Sequence, residues 1–385
     1  MTKATYYIGL MSGTSADGID LALVDFSENK TDLIYKYYQP YDDKTHQAIT
    51  SLYVSGKNEI DRAFALDVEL AHQFSEAITE LLKQCNLSTN DIIAIGNHGQ
   101  TIRHRPTLAT ETASPHSFTL QIGCNQTLAT LTNIRVIGQF RKKDIALGGQ
   151  GAPLVPAFHQ ALFTSLDKAH LKDIFVVNIG GIANISFLPS MTSQQGVIGF
   201  DTGPGNALMD DWYQQHHQNG RYDENGHWAA QGHVNQTLLT DLLTDHYFHQ
   251  PAPKSTGREA FNLNWLQQKL AGFSITPVDV QATLAMLTAT TICKDILKYS
   301  QSATIFLCGG GVLNKNLCLL LNRLLKQNNH NFKLLTTDDV NIDSDALEAM
   351  AFAWFAFAFD RQIVGNIPAV TGASKATILG TSYSP

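Results

Sequence analysis

An α/β fold arranged as two successive domains is what this sequence predicts, on three observations. Strand-like and helix-like segments alternate along the whole chain, the pattern of an α/β protein. A strand–turn–strand unit near the N-terminus reappears in the second half. The length of 385 residues suits two domains at roughly 100–200 residues each. Hydrophobic residues at 44% and charged residues at 16% supply a real core and carry no signature of disorder.

Tyr6–Leu10 and Leu21–Phe26 read as strands joined through the polar stretch Met11–Asp20, a hairpin. Asp61–Lys83 reads as a long amphipathic helix, because Leu66, Leu70, Phe74, Ile78 and Leu81 recur at helical spacing. Ile92–Ile95 is a short strand leading into a Gly96–Gln100 loop, and Arg135–Ile137 is another strand. The construction then repeats: strand Ile174–Asn178, turn Gly180-Gly181, strand Ala183–Leu188. Further on, strand Ala303–Leu307 runs into Gly309-Gly310-Gly311 and a helix from about Asn314, and Leu347–Phe359 is an apolar helix. No shorter repeat and no low-complexity linker interrupts the chain.

Several function classes are excluded. A net charge of −7 offers no general attraction to nucleic acid or anionic lipid. Five scattered cysteines without a CxxC pair argue against a disulfide framework or zinc ribbon. The His216–His217 and His246/His249 pairs lack further partners in a familiar metal-ligand pattern. The N-terminus has no long apolar h-region, and the run Ala349–Phe359 is too short to span a bilayer. A soluble cytoplasmic protein is expected. The P-loop, HExxH, GxSxG and GxGxxG patterns are absent.

What remains points at a nucleotide. The turn Gly13-Thr14-Ser15 brings N–H groups and hydroxyls toward phosphate oxygens, with no bulky side chain in the way. Asp17 and Asp20 suit a hydrated Mg²⁺. Three glycines after Leu307 let a flat ligand lie close to the backbone at a helix start. Each feature alone is weak, and the order of the three is far more specific.

That order resembles the phosphate-1, phosphate-2 and adenosine elements of the actin/hexokinase/Hsp70 ATPases. Within that superfamily the strings GLMSGTSADGID (Gly9–Asp20), GNHGQTIRH (Gly96–His104), GGQGAPLVPAFH (Gly148–His159), NIGGIANIS (Asn178–Ser186) and GFDTGPGNALMD (Gly199–Asp210) resemble the anhydro-N-acetylmuramic acid kinases. KSTGREAFN (Lys254–Asn262), CGGGVLN (Cys308–Asn314) and VTGA (Val370–Ala373) are similar to that family too.

The resemblance implies a two-domain actin-like ATPase (ribonuclease H-like) fold with an interdomain cleft that closes over ATP and sugar. The first domain would span 1–140 and 370–385, and the second 141–369. It implies ATP- and Mg²⁺-dependent conversion of 1,6-anhydro-N-acetylmuramic acid to N-acetylmuramic acid 6-phosphate in peptidoglycan recycling, and a homodimer. ATP would meet Gly13, Thr14, Ser15, Ala16, Asp17, Gly18, Ile19 and Asp20, then Asn178, Gly180 and Gly181, then Gly309, Gly310 and Gly311. Asp17 and Asp20 would hold the metal through water. At Ala16 a larger apolar residue is expected in many relatives.

By the same resemblance Asp201 is the catalytic base, although its local sequence alone reads as a cap of the Gly203–Asp210 turn or helix. His98, Gln100, Arg141, Asp144 and Glu348 are the sugar-side candidates. The basic cluster Arg141-Lys142-Lys143 suits the lactyl carboxylate, with its inward member open. Glu348 also fits the helix dipole as a first-turn acid. Thr256 and Glu259 have capping-box spacing, so Lys254–Asn262 reads as a helix start with a further role unassigned. The rival readings are another sugar or carboxylate kinase of the same superfamily acting on a free hydroxyl, and an actin- or chaperone-like module whose nucleotide drives assembly or partner binding, which fits poorly at 385 residues with no appended domain evident.

Overall fold

The computed structural model describes residues 4–106, 116–166, 172–258, 260–327 and 331–385. It divides into two compact units, Met1–Phe158 with Ala346–Pro385, and His159–Asp345. Segments 141–158 and 346–369, which the sequence groups with the second half, thus pack with the first.

In the first unit, β1 (Tyr6–Ser12) and β2 (Gly18–Asp25) form the expected hairpin, and β3 (Asp32–Pro40) continues it as an antiparallel meander. Two short-to-long helices follow, α1 (Asp43–Thr50) and α2 (Glu59–Gln84). Next come β4 (Ile92–Arg105), β5 (Phe118–Ile122), α3 (Asn125–Thr132), β6 (Val136–Gly138) and α4 (Phe140–Ala146). β4 pairs parallel with both β1 and β6, and β5 pairs antiparallel with β4. The division between units falls within α5 (Val155–Leu166).

The second unit opens with β7 (Asp173–Ile179), β8 (Ile182–Leu188) and β9 (Ile198–Pro204), again an antiparallel meander. Helices α6 (Ala207–His216), α7 (Gln236–Leu242), α8 (Leu263–Leu270) and α9 (Pro277–Leu297) precede β10 (Ser302–Cys308). α10 (Lys315–Lys326) and β11 (Asn331–Thr336) complete it. β10 lies parallel to β7 and β11 parallel to β10. The chain then returns to the first unit with α11 (Leu347–Asp360), α12 (Pro368–Thr371) and β12 (Thr381–Tyr383), which pairs with β6.

The two sheets repeat one plan. The first runs β12-β6-β4-β1-β2-β3, and the second β11-β10-β7-β8-β9. Each is a meander whose first strand also carries two parallel partners beyond it, so the hairpin echo in the sequence is a full topological repeat.

Packing follows from side-chain size. All five periodic residues of α2 are buried in the first core, each such side chain contributing about 1.5–3 kcal/mol. α11 covers β1 and β4 so closely that a Cβ on Gly9 would lie 1.8 Å from the Ala349 oxygen. One on Gly96 would lie 1.9 Å from the Phe352 oxygen. Both positions therefore demand glycine. Among the described residues no helix is long and apolar enough to cross a membrane.

Two expectations need correction. Gly96–Gln100 is not a loop after a short strand but the middle of β4, because α11 packs backbone to backbone there and needs small residues. Asp201 likewise lies inside β9 and is not the cap of α6, which Asn206 precedes.

Candidate functional site

In the first unit the β1–β2 turn is closed by Ala16 N–H donating to the Gly13 oxygen at 3.1 Å. Ala16 adopts φ 54°, and its side chain is fully buried, as is that of Ile19. These two can offer only backbone to a ligand. Thr14, Ser15 and Asp17 are exposed. Ser15 Oγ donates to Asp17 Oδ1 at 2.8 Å.

Behind the turn stands a buried network. Ser12 Oγ donates to Gln100 Oε1 at 2.6 Å and bonds the Tyr41 hydroxyl at 2.8 Å. Gln100 Nε2 donates to the Gly13 oxygen at 3.0 Å, while Tyr53 donates to the Thr14 oxygen at 2.8 Å. Tyr38 donates to the Asp17 oxygen at 3.0 Å. Gln100 is fully buried, and its amide is committed to holding the turn. Burial pushes up the phenols of Tyr38 and Tyr41, and the charges of Asp17 and Asp20 add to both shifts. Two carboxylates acting on the same two phenols are hard oxygen donors in one small region. That fits a hydrated divalent cation, which keeps several waters and takes one or two carboxylates beside substrate phosphates.

The sugar-side candidates are partly assembled. Of the basic cluster, Arg141 points inward, while Lys142 and Lys143 are exposed. Arg141 Nε and Nη2 donate to His98 Nε2 at 3.0 and 2.9 Å, and Nη1 donates to the Gly151 oxygen at 2.7 Å. A guanidinium only donates, so His98 Nε2 accepts and Nδ1 carries the proton it gives to the Gly99 oxygen at 2.7 Å. Burial, then the Arg141 charge, holds the His98 imidazole well below its usual range, hence neutral. Burial also pulls the Arg141 guanidinium down to about 10, against the opposing charges of Glu348 and Asp144.

Glu348 opens α11 with a solvent-accessible side chain. The protein bulk around it still raises its carboxyl, and Arg141 works the other way. Asp144 differs. It is fully buried and accepts from Gly151 N–H at 2.8 Å, and from Asn366 Nδ2 and Thr371 Oγ1, both at 2.7 Å. Those bonds make it a clasp between α4 and the C-terminal segment.

In the second unit three glycine-bearing elements share one end of the sheet. The Gly180 oxygen accepts from Asn206 N–H at 2.8 Å, and the Gly181 oxygen from Gly205 N–H at 3.0 Å. A Cβ on Gly205 would lie 2.2 Å from the Gly180 oxygen. Asn178, the penultimate residue of β7, lies beside Cys308 of β10, and its Oδ1 would lie 2.2 Å from a Cβ on Gly309, whose φ is 79°. Gly310 is exposed, and Gly311 packs on Ile179. Asn314 caps α10 by accepting from Leu317 N–H at 3.0 Å.

Asp201 is held by a segment that sequence reasoning left without a role. Its Oδ2 accepts from Ser255 Oγ and from Thr256 N–H, both at 2.9 Å. Its N–H donates to the Lys254 oxygen at 3.1 Å, and its oxygen accepts from the Tyr247 hydroxyl at 2.6 Å. No helix begins at Thr256. α8 starts at Leu263 behind an Asn262 cap, because the Thr256 N–H is committed to Asp201. Glu259 lies outside the described residues. Sequence reasoning also missed Ser12, Tyr41 and Tyr53. Ser12 sat inside a quoted string, whereas nothing in the sequence around the two tyrosines marked them.

A family model described as anhydro-N-acetylmuramic acid kinase matches residues 5–385. The chain is 54% identical over 400 residues to the anhydro-N-acetylmuramic acid kinase of Colwellia psychrerythraea, covering 100% of this chain and 98% of that one. It is 46% identical over 383 residues to the enzyme of the same name from Shewanella putrefaciens, covering 99% of each. Among solved structures, the activator of the 2-hydroxyisocaproyl-CoA dehydratase from Clostridium difficile with bound ADPNP aligns at TM-score 0.44 and 10% identity, over 93% of this chain and 96% of that one. With a family model matched from residue 5 to residue 385 and near-complete relatives at 46% and 54% identity, the chain belongs to the anhydro-N-acetylmuramic acid kinase family.

Proposed function

We propose that this protein uses ATP and water to open the 1,6-anhydro ring of 1,6-anhydro-N-acetylmuramic acid and to phosphorylate O6. The products are N-acetylmuramic acid 6-phosphate and ADP. Family membership supports the substrate pair, and the observation that carries the mechanism is Asp201, a carboxylate gripped by two donors inside β9. O6 is locked in the anhydro bridge, so it becomes a nucleophile only as its bond to C1 breaks. Water attacks C1, O6 attacks the γ-phosphorus, and ADP leaves. Asp201 takes the proton released by the water.

The exposed Thr14, Ser15 and Asp17 and the turn's backbone are the first unit's phosphate-binding groups, and Gly180, Gly181 and Asn178 are the second unit's. Gly309–Gly311 accept the adenosine. Asp17 and Asp20 would hold Mg²⁺ through water, and that ion supplies charge neutralisation at the transferring phosphoryl group. His98, neutral and accepting from Arg141, orients the guanidinium toward the lactyl carboxylate. Glu348 receives a sugar hydroxyl. Gln100 acts through the turn it supports, and Asp144 through the clasp that seats Arg141's helix.

Asp201→Asn tests the reading. Turnover should fall by about 10²–10⁴-fold, the size of general-base effects, with an unchanged circular dichroism spectrum. Product is followed by ³¹P NMR. Wild-type-like turnover in the pure variant would remove Asp201 from the mechanism.

A further inference from the structure

The Lys254–Thr256 segment has no regular secondary structure, yet two of its residues hold the Asp201 carboxylate by one oxygen. Two donors on one oxygen fix the plane of a carboxylate, provided that the segment is itself fixed. The Lys254 side chain supplies that anchor. It is 2% exposed, and its Nζ lies 3.3 Å from Asp295 Oδ2 on α9, a carboxylate itself 4% exposed. The contact is ionic rather than a well-aligned hydrogen bond. The ammonium also sits 4.8 Å from the ring centre of Tyr247 and 5.6 Å from that of Phe200. Phe200 precedes Asp201, and Tyr247 donates to its backbone oxygen.

We propose that Lys254 is a positioning residue: its buried ammonium pins the segment through which Ser255 and Thr256 orient the Asp201 carboxylate. The proposal rests on Asp201 being the base. A leucine or methionine would fill the same space without desolvating a charge, and burying an ammonium is costly unless it is paired. The lysine therefore serves something beyond volume. The charged and titratable groups facing it are Asp295, Lys298, Asp201 and Tyr247. Burial lowers the Lys254 ammonium, Asp295 foremost and Asp201 further down the order raise it, and Lys298 lowers it. The Lys254 charge thus reaches the base.

Lys254→Met should lower kcat by about 10²-fold, the cost of a misplaced catalytic group, with KM for ATP and sugar almost unmoved. The acid limb of its kcat–pH profile should shift to higher pH, since a lost positive charge raises the proton affinity of a nearby carboxylate. Lys254→Arg, keeping the charge, should return part of kcat and restore the limb. Ser255→Ala removes an exposed donor and should lower kcat by about 10-fold at unchanged melting temperature. A Lys254→Met protein with a reduced melting temperature but wild-type kcat and acid limb would reduce Lys254 to a structural anchor and overturn the proposal. If that variant does not fold, wild-type kcat and acid limb in Ser255→Ala overturn it instead. Asp201→Asn is the control. An inactive Asp201→Asn beside a wild-type-like Lys254→Met sinks this inference alone, whereas a fully active Asp201→Asn sinks the base assignment and this inference with it.

Discussion

The turn between β1 and β2 and the turn between β7 and β8 occupy the same place in two sheets of the same plan, but they are held in opposite ways. Side chains prop the first: Ser12, Gln100, Tyr38, Tyr41 and Tyr53 converge on Gly13, Thr14, Asp17 and one another. Backbone props the second, as the oxygens of Gly180 and Gly181 accept from the N–H groups of Gly205, Asn206 and Ala207. A repeated topology therefore does not repeat its supports. The side-chain turn should weaken in steps as its props are removed. The second turn rests mainly on backbone, with one longer side-chain contact from Asn206 Nδ2 to the Ile179 oxygen at 3.3 Å, and should fail chiefly where an added atom forces the two segments apart.

The sharpest contrast is Gly205→Ala. Its Cβ would meet the Gly180 oxygen at 2.2 Å with no flexible atom to yield. We expect a loss of about 3 kcal/mol, at the upper end of overpacking costs, read as a lower urea midpoint. Gly181→Ala, whose nearest contact is 3.4 Å, serves as its tolerated control. A Gly205→Ala protein as stable as wild type would break the backbone half of the comparison.

Gln100→Ala comes next. It leaves the Ser12 hydroxyl and the Gly13 oxygen without their amide partner, and should cost about 2 kcal/mol. KM for ATP should rise more than KM for the sugar, and equal rises would detach Gln100 from the nucleotide turn. Acid separates the two supports as well. His98 follows Asn97 on β4 next to the first turn and is neutral when folded, so the unfolded chain binds its proton first as pH falls below about 6.5. Stability present above that pH is lost below it, by up to about 1.4 kcal/mol per pH unit. Urea midpoints at pH 6.5 and 5.0 should differ less in His98→Gln than in wild type. The props of the second turn are backbone groups, which do not titrate. Tyr53→Phe should have the smallest effect. It removes one hydroxyl donating to Thr14, worth about 1 kcal/mol, with a correspondingly modest rise in KM for ATP.

How far the sequence reaches differs between fold and site for a physical reason. Apolar periodicity revealed α2 and the apolar strands β1, β2, β7, β8 and β10, because burial on a regular face leaves a regular pattern. It failed at Gly96–Gln100, where glycines and polar residues imitate a loop although they satisfy a helix packed backbone to backbone on β4. It failed again at Asp201, since one acid before a Gly-Pro-Gly turn looks like a cap until the distant Ser255 and Thr256 are seen donating to it. The site strings were legible as strings. Which member points inward was not: Arg141, Lys142 and Lys143 are consecutive on a short helix, and only packing selects Arg141. Tyr41 and Tyr53 left no trace, because a hydroxyl reaching a backbone oxygen imposes no pattern on its neighbours.

Isotope labelling separates water entry at C1, with phosphoryl transfer to O6, from every other course of the reaction. ATP, Mg²⁺ and 1,6-anhydro-N-acetylmuramic acid are combined with the enzyme in H₂¹⁸O, and the product is read by mass spectrometry before its anomeric oxygen exchanges, with an unlabelled-product control for exchange. A sugar phosphate carrying one ¹⁸O at C1 and none on phosphate is the predicted result. A phosphorylated product with its anhydro ring intact, or with the label on phosphate, would contradict it.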